Sequence, residues 1–93
     1  MRTTDLTIVH RTHRFSHDDA CEVSRVALGI GAARRIVIDL HEADESETSA
    51  FARLVQLRRS LLSTGRDLKL AGLRDQTEGL YEVNRLDTIL PRQ

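Results

Sequence analysis

Apolar residues cluster in three short runs along the chain. Leu6-Thr7-Ile8-Val9 is the first, and it extends some way toward Phe15. Arg35-Ile36-Val37-Ile38-Asp39-Leu40 is the second. Its continuous β-branched core predicts a strand covered on both faces. Asp67-Leu68-Lys69-Leu70-Ala71-Gly72-Leu73 is the third, alternating apolar with other residues. Between these runs the apolar period changes to that of a helix. Ala20, Val23, Ala27 and Ile30 mark one face of a helix from about Ser16 to Ile30. Ser16 with Asp19 after it predicts an N-cap with an acid at the third position, and Gly29 and Gly31 mark the end. A second helix starts near Ser46 to Thr48 and stops before Gly65. Its expected stripe is Phe51, Leu54, Val55, Leu57, Leu61 and Leu62, with Arg53, Arg59 and Ser63 outward. A third runs from about Asp75 to Asn84, with Leu80 and Val83 expected inward. A short turn from Leu86 to Leu90 ends at Pro91, the one proline.

Strand and helix therefore alternate three times. That order predicts an α/β fold, a small, mostly parallel sheet with helices packed against it. The length of 93 residues fits one domain spanning 1–93. Function in such sheets collects at the carboxyl ends of strands. Here that end carries "HEADESETS", residues 41 to 49, leading into the longest helix.

Composition removes several function classes. Formal net charge is zero, so no overall field favours nucleic acid or an anionic membrane. Aromatics make up 3%, only Phe15, Phe51 and Tyr81, too few for a base-stacking platform. Cys21 is the single cysteine, which excludes an internal disulfide and a four-cysteine zinc site. No apolar run approaches the length of a membrane span, and no signal-peptide pattern opens the chain. The expectation is a cytoplasmic protein without membrane insertion.

Candidate chemistry centres on Thr48 and Ser49. A helix N-terminus presents unpaired N–H groups and a partial positive charge. A hydroxyl there can cap the helix, and a phosphate there can accept charge-assisted hydrogen bonds. Glu42, Asp44, Glu45 and Glu47 oppose this. One carboxylate about 6 Å from a phosphate of charge near −2 costs roughly 1.4 kcal/mol even at the dielectric constant of water. The helix end contributes about 0.3–1 kcal/mol to an exposed anion. The expectation is a loop with its own negative field, whose partner binding phosphorylation changes little. Arg53, Arg58, Arg59 and Arg66 could frame that loop as a mixed-charge docking face. His10, His13, His17 and His41 lack a recognised zinc spacing, so no metal is expected. Asp39 ends its strand without a base or nucleophile to work with. Gly72 and Gly79 form no phosphate-cradling motif. No catalytic constellation and no cofactor site emerge.

Taken together, "IVIDL", "HEADES", "ETSAF" and the later "KLAGLRDQTEGLYEVNRLDTIL" resemble the STAS domain family, which includes bacterial anti-sigma-factor antagonists. The resemblance spans about Phe15 to Leu90. The family pattern is an apolar strand ending in Asp-Leu, a loop, then Asp-Ser-Ser-Gly-Leu opening a helix. Glu47 matches the acid, Thr48 the phosphorylated hydroxyl, Ser49 its neighbour, Ala50 the glycine and Phe51 the leucine. Arg85 stands where the family frequently has glycine. The resemblance implies a non-enzymatic regulatory binding protein that docks on a kinase-type anti-sigma factor. Glu42, Asp44, Glu45, Glu47, Thr48, Ser49 and Arg53 would form the partner surface, with Thr48 or Ser49 phosphorylated. "LDTILPRQ" also resembles the small STAS subunit of phospholipid-transport ABC complexes, the alternative reading.

Overall fold

The computed structural model describes residues 5–31 and 33–93. Strands β1 (Asp5–Val9), β3 (Arg35–Asp39) and β5 (Asp67–Ala71) form a parallel sheet in the order β1-β3-β5. Two shorter strands, β2 (Arg14–Phe15) and β4 (Glu45–Ser46), pair in parallel apart from it. The helices are α1 (His17–Gly29), α2 (Thr48–Leu62) and α3 (Asp75–Val83). The predicted α/β class with a parallel sheet is what the chain forms. At the C-terminus, Leu70 N–H donates to Pro91 O at 3.0 Å and Gln93 N–H to Leu70 O at 2.7 Å, so the last residues run alongside β5.

Register explains the core. Leu6, Ile36 and Leu68 lie abreast, as do Ile8, Ile38 and Leu70. Ile36, Ile38, Leu68 and Leu70 are buried in one cluster with Ala20 and Val23 of α1 and with Phe51, Leu54, Leu57 and Leu61 of α2. The intervening row of Thr7, Val37 and Lys69 points the other way. There Val37 is only half-buried, and Thr7 and Lys69 are exposed. The expectation that β3 is covered on both faces is therefore corrected. Val37 continues the β-branched run but belongs to the open face.

Other expectations shift by a residue or two. The first strand stops at Val9 instead of running on toward Phe15. A turn intervenes, in which Thr12 Oγ1 donates to Arg14 O at 2.9 Å and His10 Nε2 lies 2.7 Å from the same carbonyl. Leu62 lies past the edge of the α2 stripe and is exposed, as is Ile30 at the end of α1. On α3, Val83 is 80% exposed, because Thr77 and Tyr81 form the buried face and Tyr81 donates its hydroxyl to Leu90 O.

Helix ends follow identifiable rules. Ser16 caps α1 in a capping box with Asp19, as its spacing predicts. At the other end, Arg66 reaches across from the α2–β5 turn. Its Nη2 donates to Ala27 O and Ile30 O at 3.0 and 2.7 Å, and its Nε to Ala33 O at 2.6 Å. Arg58 pairs with Asp67 at 2.9 Å. Neither arginine frames the 41–49 loop, which corrects that expectation for Arg58 and Arg66.

The α3 terminus is a Schellman motif. Leu86 N–H donates to Tyr81 O and Arg85 N–H to Glu82 O, with Arg85 in the left-handed region at φ 51°. This is the position where the resembling family frequently has glycine. Left-handed backbone costs a side-chain-bearing residue roughly 1–2 kcal/mol. Arg85→Gly is expected to stabilise the fold by about 0.5–1 kcal/mol in urea denaturation, after the greater freedom of glycine in the unfolded chain is offset. Gly72→Ala is expected to do the opposite. Gly72 has φ 71°, and an added Cβ would lie 2.7 Å from Asp39 Oδ1 and 2.8 Å from the His41 backbone nitrogen. A loss of roughly 2 kcal/mol or more follows. Gly65→Ala, at φ 76° with open space around it, should cost only about 1 kcal/mol in the same titration.

Candidate functional site

The β2–β4 pairing places two helix starts side by side. Glu45 N–H donates to His13 O at 3.1 Å and Glu47 N–H to Phe15 O at 3.0 Å. Phe15 precedes the N-cap of α1, and Ser46 precedes the N-cap of α2. Phe15 is fully buried, so its side chain anchors this junction to the core.

Glu47 joins the two starts. It occupies the N-cap position of α2, but its side chain caps no α2 N–H group. Its carboxylate turns to α1 instead. Oε1 accepts from the His17 backbone N–H at 2.8 Å, and Oε2 accepts from Arg14 Nη2 at 2.8 Å. The Arg14 hydrogen bond and then the His17 N–H hold the Glu47 carboxyl below the usual glutamate range. The same contact raises Arg14.

Thr48 and Ser49 are therefore the first two residues of α2 and not its cap. This corrects the simple capping reading. Both are exposed, and neither hydroxyl has a hydrogen-bond partner among the described residues. The Ser49 carbonyl lies 3.4 Å from His17 Nδ1.

The acidic run is less open than its composition suggests. Glu42 lies 3.7 Å from Arg11 and 3.6 Å from His41 Nε2. Glu45 lies 3.7 Å from Arg14. Asp44 offers its backbone carbonyl to Gln76 N–H at 3.0 Å, while its Oδ1 is buried without a partner among the described residues. Three carboxylates, Glu42, Glu45 and Glu47, thus meet two arginines, Arg11 of the β1–β2 connection and Arg14 of β2. That revises the expected standing negative field, because Arg11 and Arg14 neutralise much of it locally. Arg53 lies one turn beyond Ser49, half-buried, with no ion pair among the described residues. The structure thus groups Glu45, Glu47, Thr48 and Ser49 at the α2 start. Glu42 and Asp44 lie in the loop ahead of it.

Beneath the loop, polar contacts lock α3 against it. Thr77 Oγ1 donates to Ala43 O at 2.9 Å and lies 2.7 Å from Ser46 Oγ, while Ser46 N–H donates to Gln76 Oε1 at 2.7 Å. Asp39 closes its strand as an acceptor. Its Oδ1 takes the His41 N–H at 2.9 Å and lies 2.8 Å from Nδ1 of the same residue. Partial burial pushes that carboxyl up, but the His41 contacts outweigh it and hold the group below the usual range.

Sequence reasoning did not single out Arg11, Arg14, Gln76 or Thr77, and it weighed His17 only as a metal ligand. Arg14 had one usable signal, since it precedes the apolar residue that leads into a clear N-cap. The others act through non-local contacts.

Among the described residues, no group of three or more His, Cys, Asp or Glu side chains could hold a metal ion. No helix among them is long and apolar enough to cross a membrane. No protein-family model matches the chain, and no curated protein matches it either.

The clasp at Glu47 makes a pH prediction. Its carboxyl is depressed below 4.5 in the folded state. Its contribution is complete above its unfolded value and is lost as pH falls through the lower folded one. Urea midpoints measured from about pH 6 to pH 3 should fall less steeply for Glu47→Gln than for the wild-type protein. Parallel curves would show that the clasp adds nothing to stability.

Proposed function

We propose that this chain is a non-enzymatic regulatory binding module of the anti-sigma-factor-antagonist type, docking on a kinase-type anti-sigma factor. The docking surface comprises the 41–49 loop, the start of α2 and the exposed face of that helix. Thr48 is the phosphoacceptor, and Ser49 is the competing hydroxyl. The module needs no cofactor and works in the bacterial cytoplasm.

One observation carries the reading. The Thr48 hydroxyl is exposed at the first turn of a helix whose start has no side-chain cap, and it has no hydrogen-bond partner among the described residues. A kinase can reach it without breaking a hydrogen bond. A phosphate there gains from the helix end. Glu47 beside it is already committed to Arg14 and His17, and Glu42 and Glu45 are paired with arginines. Phosphorylation would therefore add a new charge, where the bare sequence suggested one already present. The register of "IVIDL" and "ETSAF" with the STAS pattern gives the partner class.

The test uses the purified protein with a purified kinase-type anti-sigma factor and ATP. Mass spectrometry should find phosphate on Thr48, still present in Ser49→Ala and absent in Thr48→Ala. Thr48→Glu should weaken the complex about a hundredfold, and Thr48→Ala should leave it near wild type. Phosphate confined to Ser49, or equal affinity for all three forms, would overturn the assignment. Stable association with an ABC ATPase instead would favour the transport-subunit reading drawn from "LDTILPRQ".

A further inference from the structure

A groove of about 360 Å³ runs along α2, between that helix and the turn after α3. Phe51, Val55, Leu86 and Ile89 give it an apolar floor and wall. Ile89 is 47% exposed, a large aliphatic side chain left facing solvent. Thr48 lies at one end and Arg59 toward the other. They are separated by about three helical turns, roughly 16 Å.

Charge on the groove has one sign. Among the described residues Arg59 is the one charged residue lining it, and no carboxylate does. Arg59 is exposed and has no ion pair among the described residues, unlike Arg58 and Arg92, which meet Asp67 and Glu78. The remaining polar lining, Gln56 and Asn84, is neutral. An apolar trough of this length with Arg59 at its end, without an ion pair among the described residues, suits a helix that carries an apolar stripe and a carboxylate. A basic helix would meet Arg59 with like charge.

We propose that this groove binds an acidic amphipathic helix of the partner, with apolar anchors over Phe51, Val55 and Ile89 and a carboxylate on Arg59. The inference rests on the reading of the α2 face as the partner surface, and it names the chemistry that face accepts. It also assigns a role to the apolar positions beyond the acidic loop. Thr48 shares this groove, so a phosphate there would stand at the end of a site built for an acidic segment.

The probe is a displayed library of amphipathic helical peptides, about four turns long, selected against the purified, unphosphorylated protein. Selected peptides should carry apolar residues at i, i+3 or i+4, and i+7, together with a carboxylate. Fluorescence anisotropy should then show binding weakened about tenfold by Arg59→Glu and by Ile89→Lys. Both positions are exposed, and circular dichroism of each variant confirms that the fold is kept. A peptide whose carboxylate is exchanged for lysine should regain affinity for Arg59→Glu. Basic consensus peptides, binders indifferent to both substitutions, or no binders would overturn the proposal. So would a concentration-dependent dimer abolished by Ile89→Lys, which would put a second copy of the chain in the groove. Because no kinase or phosphate is used, failure here is separate from failure of phosphate transfer to Thr48.

Discussion

The Glu47 carboxylate receives Arg14 through one oxygen and the first N–H of α1 through the other. The organisation of the candidate site depends on this clasp. Two helix starts carry partial positive charge and would repel each other if brought together bare. A carboxylate between them answers one helix start directly and recruits Arg14 from the adjoining strand. Backbone pairing of Phe15 with the Glu47 N–H sets the distance, and the buried Phe15 ring fixes the depth. The cost falls on α2, which begins without a side-chain cap and leaves the Thr48 and Ser49 hydroxyls without a partner among the described residues.

The same geometry changes the electrostatics of the loop. Exposed ion pairs add little to stability on average. Their effect here is to set where charge is free. Arg11 and Arg14 draw Glu42, Glu45 and Glu47 into local pairs, so the run is not a uniform negative surface. Farther along α2, Arg59, which has no ion pair among the described residues, stands beside an apolar groove. The proposed partner surface therefore has two chemistries, a paired acidic head and an apolar trough with a cation. The head lies just ahead of α2 and the trough runs along it, and Thr48 adjoins each.

Rigid support comes from below. α3 docks on the loop through Thr77 and Gln76, and its end is closed by a Schellman turn with Arg85 in the left-handed region. Leu86 and Ile89, which follow that turn, form one side of the groove. The orientation of the groove wall thus depends on a backbone conformation that favours glycine, adopted here by arginine.

Much of the architecture was legible in the chain. The three apolar runs, the shift between periods of two and 3.6, and Ser16 with Asp19 identify strands, helices and one cap, because each is decided by neighbours within a turn or two. The position of residues 41–49 at the carboxyl end of β3 was legible too. Tertiary structure alone decided which face of β3 is covered, since five β-branched and charged residues read alike from either side. It decided that Arg66 closes α1 while Arg59 has no ion pair among the described residues, because the partner of each long side chain is set by the whole fold. It also decided that Glu47, and neither hydroxyl, stands at the cap. A two-residue strand such as β2 or β4 has no period to detect, yet that pairing is what brings Arg14 to Glu47 from 33 residues away.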